Sequence, residues 1–260
     1  MKIVVFDLDE TLGYFTQFGI FWDSLTKCIN DNKIDYEPNF TETLDLYPEF
    51  LRPNIIPILT YLKKKKAEGS CMKVLIYTNN TGPRTWAEQI ISYFEEKIHC
   101  KLFDQIIAAF KINGKRIEIG RTTYDKTHSD LIKCTKISKD TQICFIDDVF
   151  HPGMANDNIY YINIKPYFHT IPFDEMIDRF KNSPYFKETI CTKTIMKNIQ
   201  TYHFATFRKS DEEYEIDKIL GKHIIFHLQK FFNNINHINK NKTLKHRTSK
   251  KNKTLKHYTF

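Results

Sequence analysis

Three short apolar runs each stop at an acidic or hydroxyl-bearing residue: Ile3-Val4-Val5-Phe6 before Asp7, Val74-Leu75-Ile76-Tyr77 before Thr78, and Ile143-Cys144-Phe145-Ile146 before Asp147. Runs this short, rich in β-branched and aromatic residues, read as buried strands of a parallel sheet. Helical patterns separate them, which implies right-handed β-α-β units and a doubly wound α/β sheet with helices on both faces. Such sheets bind ligands beyond the carboxyl ends of their strands. Asp7, Thr78 and Asp147 are therefore expected to converge on one crevice.

Directly after the first run comes Asp7-Leu8-Asp9-Glu10-Thr11-Leu12-Gly13. If the strand stays extended, Asp7 and Asp9 point to the same side with Leu8 turned into the core, and their Cα atoms lie about 6–7 Å apart. Two carboxylates at that spacing suit one nucleophile and one acid, or a shared cation. The plainer reading is a solvated strand end that caps the next turn.

Composition bounds the rest. The 260 residues are 41 % hydrophobic and 14 % aromatic, which is globular and allows one substantial domain with appendages. No stretch approaches a membrane-spanning length, and the amino terminus does not read as a signal peptide, so an intracellular, cytoplasmic location is expected. The six cysteines are scattered without a C-x-x-C pair, which suggests neither a zinc knuckle nor a disulfide framework. The formal charge of +8 equals the eight Lys/Arg between Lys240 and Phe260, where there is no acid, so residues 1–239 are formally neutral. That tail carries a short repeat, Asn241 to His246 and Asn252 to His257, and its charge and few apolar residues predict disorder. It reads as a solubilising terminus, a nonspecific contact to nucleic acid or a nuclear-targeting signal.

Along the chain, Tyr14 to Ile20 reads as a hairpin flap over the site. Ile20-Phe21, Leu25 and Cys28-Ile29 then give a short amphipathic helix, and Asn30 to Thr43 a loop. Pro53 suits the first turn of a helix that ends at Lys63-Lys64-Lys65-Lys66, a solvated last turn complementing the helix dipole. A helix from Arg84 turns Trp86, Ile90-Ile91 and Phe94 inward. Phe103 to Phe110 reads as a strand and Lys111 to Ile119 as a hairpin around Asn113-Gly114. Lys126 to Ile132 opens a helix, Ile159 to Ile164 forms a strand, and Phe173 to Phe180 a helix. Beyond residue 185, 187–207 and 211–232 look helical, the second with Ile216, Ile219-Leu220, Ile224-Ile225 and Leu228 at helical spacing. The expected organisation is a catalytic domain over 1–185, a helical appendage over 186–239 and the tail over 240–260.

The stretch FDLDETLG resembles the first motif, D-x-D-x-T, of the haloacid-dehalogenase-type (HAD) phosphohydrolases. It is most similar to the D-L-D-E-T-L form of the branch containing the CTD phosphatases and NLI-interacting-factor-like proteins. The strand ending at Thr78-Asn79-Asn80 resembles the second motif, although such residues also simply favour turns. Asp147-Asp148 resembles the fourth motif, and Lys126 is the natural candidate for the lysine of the third; spacing leaves Lys133 and Lys136 open. The Arg52-Pro53 helix start and the 111–119 hairpin also fit the branch. Asp147-Asp148 departs from it, since those enzymes tend to carry Asp-Asn there.

The resemblance implies a HAD-like doubly wound sheet with a minimal cap. It implies Mg²⁺-dependent hydrolysis of phosphomonoesters through an aspartyl-phosphate. Asp7 would be the nucleophile and Asp9 the general acid and base, with Thr78 and Lys126 serving catalysis. Thr11 and Asn79 would bind phosphate. Asp7, Asp9 through its backbone carbonyl, and Asp147 or Asp148 would hold the metal. The expected substrate is a phosphorylated protein or another phosphomonoester, with no membrane partner. A polynucleotide 3′-phosphatase and a catalytically idle binding module are the alternatives.

Overall fold

A computed structural model of the chain describes residues 1–233 and 257–259. Its strands are β1 (Lys2–Phe6), β2 (Lys73–Tyr77), β3 (Phe103–Ile107), β4 (Lys111–Ile112), β5 (Lys115–Arg116), β6 (Gln142–Asp147), β7 (Ile159–Asn163) and β8 (His257–Thr259). The helices are α1 (Thr16–Asp31), α2 (Phe40–Leu44), α3 (Ile55–Ala67), α4 (Arg84–Lys97), α5 (His128–Thr135), α6 (Phe173–Lys181), α7 (Thr192–Gln200) and α8 (Asp211–Asn233).

One parallel sheet runs in the order β3-β2-β1-β6-β7-β8, while β4 and β5 pair as a separate antiparallel hairpin. The chain steps from β1 out to β2 and β3, then crosses back over β1 to β6 and β7. The winding thus reverses between β1 and β6, where an open α/β sheet leaves a crevice beyond its strand ends.

Side-chain alternation gives the sheet two unequal covers. Val4, Phe6, Val74, Ile76, Cys144 and Ile146 face the larger core, built with α1, α3, α4, α6, α7 and α8. Ile3, Val5, Leu75, Tyr77, Ile143 and Phe145 face a smaller core closed by Leu131 of α5 and by Met154. Near-continuous apolar runs result because β1, β2 and β6 are buried on both sides.

Several local expectations change. Tyr14 to Ile20 forms no hairpin: α1 starts at Thr16, because Phe18, Phe21, Leu25 and Cys28 fall on one helical face and are all fully buried. Within the expected loop, α2 forms where the Asn39 side chain accepts from the Glu42 amide. Pro53 precedes α3 instead of entering it, since Asn54 at the helix start takes a left-handed φ of 67°. The third strand stops at Ile107. The hairpin turns as expected, with Asn113 and Gly114 both left-handed at φ 49° and 77°, which matches the twist of a two-residue turn.

In the C-terminal third the helical stretch 187–207 is helical only over α7. The inward face of α8 keeps Leu220, Ile224 and Leu228 of the expected stripe but not its first turn. Ile216 and Ile219 are 45 % and 51 % exposed, while Asp217, Leu220, Gly221, Ile224 and Leu228 are buried. The cause is at Gly221, where an added Cβ would stand 2.3 Å from the Pro53 carbonyl oxygen, so α8 meets α3's entry backbone along that line. The expected disordered tail lies outside the described residues, except that His257–Thr259 pair with Tyr161–Asn163 as β8. Among the described residues no helix is long and apolar enough to cross a membrane.

Candidate active site

Asp7 extends β1 by one ladder bond, its amide donating to Ile146 O at 2.9 Å. That contact carries its carboxylate to the edge where β6 ends in Asp147. Between the two lies Lys126, from the loop preceding α5 and only 2 % exposed. Its Nζ donates to Asp7 Oδ1 and, at 2.7 Å, to Asp147 Oδ2. Burial works against the charge of Lys126, but the two carboxylates outweigh it and hold its pKa above the ordinary lysine value. Burial, with repulsion from Asp7, pushes Asp147 up against the pull of Lys126. Lys133 instead reaches Asp130 at 3.6 Å with its side chain 55 % exposed, and Lys136 is an exposed helix end. Of the three lysines, Lys126 is the one that faces Asp7.

Asp148 turns toward the loop after β1. Thr11 Oγ1 donates to Asp148 Oδ1 at 3.0 Å, and the Asp148 amide donates back to Thr11 Oγ1 at 3.2 Å. Asn163 fixes the same bend, its Nδ2 donating to the carbonyls of Asp147 and Asp148 at 3.0 and 3.1 Å. Because β6 has ended, the two adjacent acids need not diverge as they would within a strand. One oxygen each from Asp7, Asp147 and Asp148 lies within 4.8 Å of the others.

That set suits Mg²⁺. Its donors are all hard oxygens, three carboxylates face one ammonium, and Mg²⁺ binds carboxylate oxygens at roughly 2.0–2.1 Å in an octahedron.

Asp9 stands apart from the cluster. The chain returns tightly after it: Glu10 has a φ of 55°, the Leu12 amide donates to Leu8 O, and Gly13 lies where an added Cβ would be 2.5 Å from Phe50 O. Asp9 Oδ2 accepts from Asn80 Nδ2 at 2.7 Å. Burial raises the Asp9 carboxyl to about 6, with the charges of Asp7 and Asp148 adding to it while Asn80 and Lys126 restrain it. Burial, then Asp9 and Asp148, lift Glu10 to about 8.

At the end of β2, Thr78 is buried and its Oγ1 accepts from the Asn80 amide at 2.9 Å. Asn79 is exposed, and its Oδ1 accepts from Arg121 Nη2 at 2.7 Å, so the neighbouring Asn80 is the one that meets the carboxylates.

Two buried arginines hold this edge. Arg52 is 1 % exposed; its Nε donates to Thr11 O at 2.6 Å and its Nη2 to Glu10 O and, at 2.9 Å, to Lys165 O. Arg121 is fully buried and donates to Thr78 O at 3.1 Å, Ala108 O at 3.0 Å and Tyr124 O at 2.8 Å. Sequence reasoning took Arg52 only as part of a helix start and passed over Arg121 and the side chain of Asn80.

The arrangement can hold a cation against three carboxylates, keep one of them beside an ammonium, and present a separate carboxyl able to exchange a proton near neutral pH. No protein-family model matches the chain, and no curated protein does.

Proposed function

We propose that the chain is a phosphomonoester hydrolase of the HAD type, working through an aspartyl-phosphate on Asp7. The observation that carries this reading is the placement of Lys126 between Asp7 and Asp147, with Asp9 held separately by Asn80. Asp7 would attack phosphorus, forming an O–P bond as the bond to the leaving oxygen breaks. Asp9, with its carboxyl raised by burial, would give its proton to that oxygen. Asp9 would then take a proton from water, whose oxygen displaces Asp7 from phosphorus and releases inorganic phosphate.

Asp7, Asp147 and Asp148 would hold Mg²⁺, which when bound neutralises charge on the phosphoryl oxygens. Lys126 keeps the carboxylates of Asp7 and Asp147 from repelling one another and adds a positive charge beside the incoming phosphate. Thr11 orients Asp148, and Asn163 and Arg52 fix the backbone on either side. The segment between β1 and β2 forms α1, α2 and α3, whose apolar residues pack into the larger core, which favours a minimal cap and an open site. Such a site suits a phosphate on a large molecule, and the D-L-D-E-T-L resemblance favours a phosphoprotein.

Turnover of a generic aryl phosphate should appear with Mg²⁺ and vanish with a chelator, returning when the metal is restored. Absence of turnover at any Mg²⁺ concentration, in a folded sample, would refute the reading. The eight Lys/Arg of residues 240–260 favour a second reading, a phosphatase of nucleic-acid ends. Deleting 240–260 is expected to leave aryl-phosphate turnover unchanged while removing most low-salt affinity for DNA or RNA. A truncated protein that still binds oligonucleotides, and prefers a 3′-phosphate, would make nucleic acid the substrate.

A further inference from the structure

The loop that carries Asp7 and Asp9 is held from its backbone, by groups more than 30 residues away. Arg52 donates to the carbonyls of Glu10 and Thr11, and the Tyr167 amide donates to Glu10 O at 2.9 Å. Arg52 and Tyr167 themselves lie against the C-terminal third. The Tyr167 ring has the Arg52 guanidinium 5.6 Å from its centroid and Lys209 Nζ at 4.4 Å. Lys209 donates to Phe168 O at 2.7 Å and pairs with Asp217 of α8, whose side chain is 1 % exposed. Asn54 Nδ2 donates to Lys218 O at 3.0 Å, and Gly221 packs on the Pro53 carbonyl. α8 is thus seated on the backbone of residues 53–54, next to Arg52.

A buried guanidinium needs a counter-charge. Burial draws the Arg52 pKa down to about 10, and the strongest opposing charge is that of Asp217, ahead of Asp148. Every hydrogen bond identified for Arg52 ends on a neutral carbonyl and its buried Nη1 meets no partner, so any counter-charge must come from a carboxylate that does not touch it, and α8 carries one in Asp217.

We propose that Asp217, together with Lys209, is a positioning residue for the site: it places a buried counter-charge beside Arg52 that holds the guanidinium in place, and through Arg52 it fixes the backbone on which Asp7 and Asp9 stand. Its effect on turnover rests on the phosphatase reading; its effect on the loop does not. The C-terminal third is then a working part of the catalytic body, contributing across more than 200 residues of sequence to a loop it does not touch.

The test is a double-mutant cycle between Asp217→Asn and Arg52→Lys, where lysine keeps the charge and loses the planar fork. Asp217→Asn should lower kcat between about ten- and a hundredfold, as a small displacement of reacting groups does, with KM within about twofold. Against an Arg52→Lys background it should cost little more. Full kcat in Asp217→Asn, or an equal loss in both backgrounds, would overturn the proposal. Asp217→Asn leaves Lys209 as an uncompensated buried cation; if it does not fold, the Lys209→Met/Asp217→Asn double variant removes both charges together and carries the same readout. Amide exchange at Glu10 and Leu12, whose N–H groups close the loop, reports on positioning without any substrate. Faster exchange there in a folded Asp217 variant supports the inference even if wild type hydrolyses nothing, an outcome that would sink the phosphatase reading alone. Unchanged exchange at both amides would overturn the inference.

Discussion

Asp7 and Asp9 are two residues apart on one loop and sit in opposite surroundings. Asp7 lies at the strand edge with a buried ammonium against it and two further carboxylates within 4.8 Å. Asp9 lies one turn on, met by the neutral amide of Asn80, with its carboxyl raised to about 6 by burial. Asp7 has a cation for a partner, while Asp9, buried against a neutral amide, is placed to keep a proton that it can give. Two like groups in unlike surroundings can take different roles, and the proposed nucleophile and acid rest on that difference. The pair is distinguished by what other elements bring to it, since the loop alone supplies identical side chains.

The largest break in the comparison is expected at Asp7. Asp7→Asn keeps the shape and removes the proposed nucleophile, while Lys126 retains Asp147. Aryl-phosphate turnover should fall by about 10⁴-fold or more, the scale on which loss of a nucleophile acts. A variant still turning over near the wild-type rate would show that Asp7 forms no covalent intermediate. Asp9→Asn is expected to do less, about 10²- to 10⁴-fold, the range for a general acid–base group. With Asp9 serving both half-reactions, as proposed, rapid-quench measurements should show slow formation and slow breakdown of the phosphoenzyme. Slowing of one step only would assign the other proton transfer elsewhere.

Much of the first region was legible from sequence. Apolar runs that stop at Asp7, Thr78 and Asp147 announce buried strands ending at a common edge, and the order β3-β2-β1-β6-β7 places β1 and β6 side by side. Resemblance put Lys126 ahead of Lys133 and Lys136, but spacing did not, because what selects it is distance across 119 residues of chain to Asp7. Arg52 and Arg121 were not legible as supports. Their hydrogen bonds end mainly on backbone carbonyls, which every residue supplies, so no pattern of partner side chains marks them. The sequence reading took Asn79, whereas the turn after β2 gives Asn79 to Arg121 and sets Asn80 against Asp9. The facing of α8 was legible at Leu220, Ile224 and Leu228 but not at its start, where apolar periodicity included Ile216 and Ile219 whereas a close approach at Gly221 and the buried charge of Asp217 turn those two outward.

The smallest effect, and the one that tests the difference between the two acids without substrate or metal, is on stability. The folded pKa of Asp9, about 6, lies above its ordinary value of 3.8. Between those values the folded protein holds a proton that the unfolded chain has released, so stability falls as pH rises through this window and the full deficit remains above it. Asparagine at position 9 carries no such charge and can still accept from Asn80. In chelator, Asp9→Asn should therefore be more stable than wild type at pH 8, by about 1–3 kcal/mol from a shift of this size. The gap should narrow as pH falls from about 6 toward 4 and close below that. Asp7→Asn should give no such gain, since it takes a carboxylate from the buried ammonium of Lys126. Urea midpoints for the three proteins across this range decide it: if Asp9→Asn is no more stable than wild type at pH 8, or if Asp7→Asn gains as much, the two carboxylates do not differ in the way their surroundings imply.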